Sequence, residues 1–275
     1  VTPSTTTLGI IAGGGELPLE VARAAVTAGR HVYLLAVDEF ADPVPEGITS
    51  DRKSIGKLGW CIASLRAHGC HDVVFAGHFK RPRDGNVKLR PDLGGIWFLI
   101  SNLGVLRRHN DGIHRAIART FEARGFRVVS PLEAAPALSA AEGYLTATRA
   151  STQQEASFAA ALEAARMHGR SGQGQAIIFA EGRVIAAETK AGTDALLKSL
   201  DPAHMHGGLL VKAMSPAQLS TMDPPAIGCQ TVELVAAAGL AGIIVEAGRS
   251  VVVQADRVRS DADAAGLFVF GIKDV

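Results

Sequence analysis

Leu8 to Ala12 is an apolar run that passes straight into Gly13-Gly14-Gly15 and then into ELPLEVARAAVTAG, where Leu17, Val21, Ala25 and Ala28 recur at helical spacing. A strand that turns through glycines into a helix lays the helix on one face of a sheet and returns the chain to start a parallel neighbour. Pro18 in the first turn and Gly29 after the last periodic residue mark the helix ends. The alternation continues with a strand at His31–Val37, the loop DEFADPVPEG, an amphipathic helix over Ser54–His68 stopped by Gly69, and a strand at Asp72–Ala76. A helix over Asn110–Arg124, stopped by Gly125, and a strand at Phe126–Val129 follow. This pattern predicts a Rossmann-like parallel sheet covered by helices, with ligands at its carboxyl edge.

The pattern fails between Pro131 and Ala150, where prolines and small residues have the composition of a linker. The expected organisation is an N-terminal domain over 1–133, a linker over 134–150 and a C-terminal domain over 151–275. In the second half, Thr152–Met167 reads as a helix, and two short strands flank a Glu181-Gly182 hairpin turn. Thr193 caps a helix through Leu200, and Leu209–Ala213 is a strand. Met214 to Gln230 is a long irregular loop; Thr231 then caps the next helix. Strands at Ile243–Glu246, Val251–Val253 and Leu267–Phe270, with an Asp256-capped helix between the last two, complete a second α/β domain with a mixed sheet.

At 275 residues, with 47% hydrophobic and 20% charged residues, the chain buries a full core without disulfides. A net charge of +1 argues against a nucleic-acid partner. Cys61, Cys70 and Cys229 form neither a disulfide framework nor a metal knuckle, so a reducing, cytoplasmic setting is expected. Val1–Thr7 reads as a short disordered lead, and no run approaches the ~20 apolar residues of a membrane span. GGIWFLISNLGVL, beside Arg107 and Arg108, suits either an interfacial helix touching a bilayer surface or a buried helix or subunit contact, the last implying a homodimer.

Two places can carry chemistry. The first is the glycine junction, where Gly14, Gly15 and Glu16 lead into a helix N-terminus that favours an anion. GGGELP is neither the Gly-x-Gly-x-x-Gly fingerprint nor a Gly-Lys-Ser/Thr loop, so a ligand-free tight turn is the alternative. Gly77, His78 and Lys80 end the neighbouring strand and face the same crevice, a setting that suits a diphosphate. The second is the long loop, which starts after Lys212, contains Gln218 and Asp223, and is stiffened by Pro216, Pro224 and Pro225. Asp223 beside two prolines is fixed in position, as a group that orients water or a metal must be. Glu188 and Asp194 offer further oxygen ligands, although Asp194 is also what a helix start favours. Glu246-Ala247-Gly248-Arg249 ends another strand and reads either as a hairpin turn with a solvated ion pair or as a binding element.

GIIAGGGELPLEVAR, DRKSIGKLGWCIASLRAHGCHDVVFAGHFKRP, GQAIIFAEGRVIAAETKAGTDALL and KAMSPAQLSTMDPPAIGCQTVELVAAAGLAGIIVEAG, in that order, resemble the UDP-2,3-diacylglucosamine pyrophosphatase family of lipid A synthesis, the type unrelated to calcineurin-like metallophosphoesterases. The resemblance runs from about Leu8 to Gly271. It implies a two-domain hydrolase dependent on a divalent metal, Mg2+ or Mn2+, that takes UDP-2,3-diacylglucosamine to UMP and 2,3-diacylglucosamine 1-phosphate (lipid X), with the substrate between the domains.

Residue by residue, the family's essential acid falls on Asp223 and its lysine and glutamine on Lys212 and Gln218. Its Glu…Gly-Thr-Asp stretch falls on Glu188, Gly192, Thr193 and Asp194. The implied metal set is Asp223, Glu188 and Asp194. Where many members have an Asp after the glutamine and an Arg two beyond, this chain has Leu219 and Thr221. A second departure is Asn110-Asp111-Gly112, where many members read Gly-Asp-Asp. Two other readings stand beside this one: a non-catalytic nucleotide-binding or scaffold module, and a dinucleotide-dependent oxidoreductase, for which only Asp38 and Glu39 follow the second strand.

Overall fold

The computed structural model describes residues 7–79, 90–102, 110–214 and 224–273. Described residues up to Ala137 form one compact unit and those from Leu138 onward a second.

The first unit holds strands β1 (Thr7–Ala12), β2 (Val32–Val37), β3 (Ser50–Lys53), β4 (Cys70–Ala76) and β5 (Arg127–Val129) in one all-parallel sheet of order β3-β2-β1-β4-β5. Its helices are α1 (Leu17–Thr27), α2 (Leu58–Ala67), α3 (Leu93–Ser101), α4 (Asn110–Glu122) and the short α5 (Pro131–Ala134). Ile11, Tyr33, Leu35, Val73 and Phe75 pack with Cys61, Ile62 and Leu65 of α2 and with Phe121 of α4. Leu8, Ile10 and Leu34 are fully buried too, so both sheet faces are covered, as parallel crossovers require. Gly29, Gly69 and Gly125, the expected helix stops, all have positive φ.

Asp72 on β4 is buried between Arg30 (2.8 Å) and Arg127 (2.9 Å). Burial opposes its charge, but Arg127, His71 and Arg30 outweigh it and hold the carboxyl at about 2, below the ordinary 3.8. The folded state therefore releases this proton more readily than the unfolded chain. The stabilisation is complete above about pH 4 and is lost as pH falls towards 2, by on the order of 2 kcal/mol. Chemical denaturation at pH 5 and pH 2.5 should show that loss in the wild type and a smaller one in Asp72→Asn.

The second unit's main sheet runs β6-β13-β11-β9-β7-β8. It is built from β6 (Gly143–Tyr144), β7 (Ala176–Ala180), β8 (Arg183–Ala187), β9 (Leu209–Lys212), β11 (Gly242–Glu246) and β13 (Phe268–Ile272). β9, β11 and β13 are parallel; β6, β7 and β8 are antiparallel to their neighbours. A separate parallel pair joins β10 (Ala226–Ile227) to β12 (Val251–Val252). Helices α6 (Thr152–Glu155), α7 (Phe158–Arg170), α8 (Thr193–Lys198), α9 (Cys229–Ala237) and α10 (Ala255–Ala264) complete it. Alternation along the strands splits the core. Ile177, Phe179, Leu209 and Val211 meet Phe158, Ala161 and Leu162 of α7. Ile178, Leu210, Ile243 and Val245 meet residues of α8, α9 and α10 on the other face. Glu181 (φ 52°) and Gly182 (φ 74°) are both left-handed, the twist that a two-residue hairpin needs.

Several expectations need correction. Ser50–Lys53 is a further strand beyond the loop at 38–47, and α2 starts at Leu58 rather than Ser54. The expected helix over 152–167 is two helices, broken around Ala156 and Ser157. The segment 134–150 carries β6, paired to β13 through Tyr144 and Gly143. α8 starts at Thr193 after Gly192 (φ 94°), so Thr193 is its first residue rather than its cap. Likewise α9 starts at Cys229 ahead of Thr231, and α10 at Ala255 after Gln254 rather than at Asp256.

Candidate active site

In the first unit the ends of β1 and β4 meet where the strand order reverses, the place at which open α/β sheets take ligands. Gly13 N donates to Ala76 O (2.8 Å), Gly14 N to His78 O (3.0 Å) and His78 N to Gly14 O (2.8 Å). The glycines make this closeness possible. A Cβ on Gly13 would lie 2.5 Å from His78 O, and one on Gly77, whose φ is 93°, 2.5 Å from Gly14 O. Sequence and structure agree in bringing Gly14, Gly15, Gly77 and His78 together, with Glu16 at the head of α1. Lys80 lies outside the described residues.

Two backbone donors of the glycine turn are occupied from within. Gly14 N is paired with His78 O, and Gly15 N donates to the Asp42 carboxylate at 2.7 Å. Arg52 holds that loop in place by donating to Ala41 O and Asp42 O. A phosphate seeking Gly15 N would have to displace Asp42.

In the second unit the strand registers gather a different set of residues at one sheet edge. Lys212 lies opposite Val245 and Ala176, and Ala187, just before Glu188, lies opposite Ile177. The ends of β9, β11 and β8 therefore bring Lys212, Glu246 and Glu188 to the carboxyl edge of the parallel strands. Lys212 is buried, and its Nζ donates to Ala226 O (2.9 Å). Glu246, only 1% exposed, pairs with Arg166 (2.6 Å) and Arg249 (3.2 Å) and accepts from Met214 N (2.9 Å). The ion pair at this turn is thus buried on its carboxylate side and not solvated: Arg166, eighty residues earlier on α7, covers it.

Glu188 accepts from Gln175 N (2.7 Å) and from the Thr193 hydroxyl (3.2 Å), and its carbonyl accepts from His168 Nε2 (2.8 Å). Asp194 turns to Gln230, whose Nε2 donates to it at 3.2 Å. Gln218 and Asp223 lie outside the described residues. The chain on either side of them is tied down: Met214 to Glu246 before, and Pro225 O, which accepts from Val251 N at 2.8 Å, after.

Glu188 and Asp194 thus spend carboxylate oxygens on internal donors. Among the described residues no three His, Cys, Asp or Glu side chains gather as a metal site. Asp223, the third carboxylate of the implied Mg2+ or Mn2+ set, lies outside the described residues. Sequence reasoning missed Asp42 and the buried state of Glu246. The Ala41-Asp42-Pro43 turn was visible, but its target was not.

The comparisons cover nearly the whole chain. The family model "LpxI N-terminal domain" matches residues 7–138, and "LpxI C-terminal domain" matches 141–270. The chain is 37% identical over 273 residues to UDP-2,3-diacylglucosamine pyrophosphatase LpxI of Caulobacter vibrioides, covering 96% of this chain and 97% of that protein. Among solved structures, CobK precorrin-6A reductase aligns over 98% of this chain and 89% of its own, at 14% identity and a TM-score of 0.31, too low to bear on the fold.

Proposed function

The chain belongs to the LpxI family, and on that premise we propose that it is a hydrolase acting on UDP-2,3-diacylglucosamine. The observation that carries this is the near-complete alignment, at 37% identity, with a protein named for that activity. UMP and 2,3-diacylglucosamine 1-phosphate are the products of attack at the α-phosphorus. A water oxygen bonds to that phosphorus, the bond to the bridging oxygen breaks, and the bridging oxygen leaves with the sugar-lipid phosphate.

This reaction needs a carboxylate to orient the water and take up its proton, and positive charge near the non-bridging oxygens. Asp223 is our choice for the first role. Lys212, whose ammonium sits at the sheet edge beside Ala226, is our choice for the second, and Gln218 is a third candidate in the same loop. The reading is tested by incubating the purified chain with UDP-2,3-diacylglucosamine and measuring UMP by chromatography. Release is expected with Mg2+ or Mn2+ present. EDTA should end it and fresh Mg2+ restore it; undiminished turnover in EDTA would remove the divalent cation from the account.

A further inference from the structure

We propose that α3 is a bilayer-contacting helix that docks on anionic phospholipid through Leu93, Ile96, Trp97 and Ile100. An amphipathic helix on a globular protein ordinarily packs its apolar side inward. α3 does the reverse, and its only buried residue is Gly95. A Cβ on Gly95 would lie 2.2 Å from Gly56 O and one on Gly94 2.6 Å from Gly59 N, so α3 meets the start of α2 backbone to backbone. Asp92 fastens the junction, accepting from Gly95 N (2.8 Å), Trp60 N (2.9 Å) and Gly59 N (3.1 Å). The backbone contacts hold the helix; Phe98 and Leu99 are half-buried, whereas Leu93 is 86% exposed, Ile100 65% and Trp97 50%.

Charge selects the occupant. The Arg124 guanidinium lies 5.2 Å over the Trp97 ring, and Arg66 donates to Arg124 O. Arg90 is exposed three residues before Leu93. A two-fold contact between copies would bring these like charges together, whereas anionic headgroups neutralise them. Trp97, apolar in body and polar at its N–H, suits the headgroup level. The surface exists whatever the chain's activity. Only its use, access to a diacylated substrate held in a bilayer, rests on the function proposed above.

The test uses the full chain, without substrate, and vesicles of phosphatidylethanolamine and phosphatidylglycerol. Co-sedimentation is expected for the wild type, with weaker binding to pure phosphatidylcholine and in about 0.5 M NaCl. The triple variant Leu93→Ser, Trp97→Ser, Ile100→Ser should keep the wild-type melting temperature and bind at least ~30-fold more weakly. In a Trp60→Phe background, which leaves Trp97 as the sole tryptophan, brominated phosphatidylglycerol should quench its fluorescence. Absence of wild-type binding, equal binding by the variant, or a wild-type dimer that the variant dissociates without vesicle binding would each overturn the inference. Vesicle binding by a chain that fails to hydrolyse UDP-2,3-diacylglucosamine would overturn the proposed function and support the bilayer contact.

Discussion

Replacing Asp223 with alanine is expected to lower kcat by at least ~100-fold, the scale of losing a positioned group that orients water and takes up its proton. The expectation rests on its immediate neighbours. Pro224 and Pro225 restrict the backbone beside it, and Pro225 O, Ala226 O and Met214 N are tied to Val251, Lys212 and Glu246. Asp223→Asn, nearly the same shape without the charge, should lose activity to a similar degree with a KM near that of the wild type. Steady-state kinetics with a parallel thermal melt decides the matter. A folded variant with near-normal turnover would reduce Asp223 to a turn-forming residue.

Removing Glu246 should have the largest effect on stability. Glu246→Ala removes the carboxylate that pairs with Arg166, which is 16% exposed, and that accepts from Met214 N–H. The second unit is expected to lose about 3 kcal/mol, as when one partner of a buried pair is deleted. Asp256→Ala, which breaks the exposed pair with Arg259, should change stability by less than ~1 kcal/mol. Urea unfolding of the full chain monitored in both variants makes the comparison. A loss at Glu246 no greater than at Asp256 would show that the apparent burial of this charge has no energetic consequence.

What the sequence disclosed and what it hid divide along physical lines. Strands β1, β2 and β4 were legible because each is an apolar run bounded by glycine or turn formers, and the β7–β8 hairpin because Glu181-Gly182 supplies two left-handed positions. The strand Ser50–Lys53 was not, because an edge strand pairs through its backbone alone and here carries four polar side chains. The glycine junction was found, but not its occupation by Asp42, since a hydrogen bond spanning 27 residues leaves no local pattern. For the same reason Glu246 read as a solvated turn acid: its burial depends on α7, far away in the sequence. The apolar segment around Trp97 was plain to see, whereas the direction it faces is decided by Gly94 and Gly95 fitting against Gly59 and Gly56.

Hydrolysis of UDP-2,3-diacylglucosamine and water attack at its α-phosphorus are both tested by one labelling experiment. The purified chain is allowed to turn over that substrate in oxygen-18 water, and both products are weighed by mass spectrometry. The account predicts UMP carrying one oxygen-18, formed one for one with unlabelled 2,3-diacylglucosamine 1-phosphate. Label in the sugar-lipid phosphate would contradict the site of attack, and absence of both products would contradict the reaction itself.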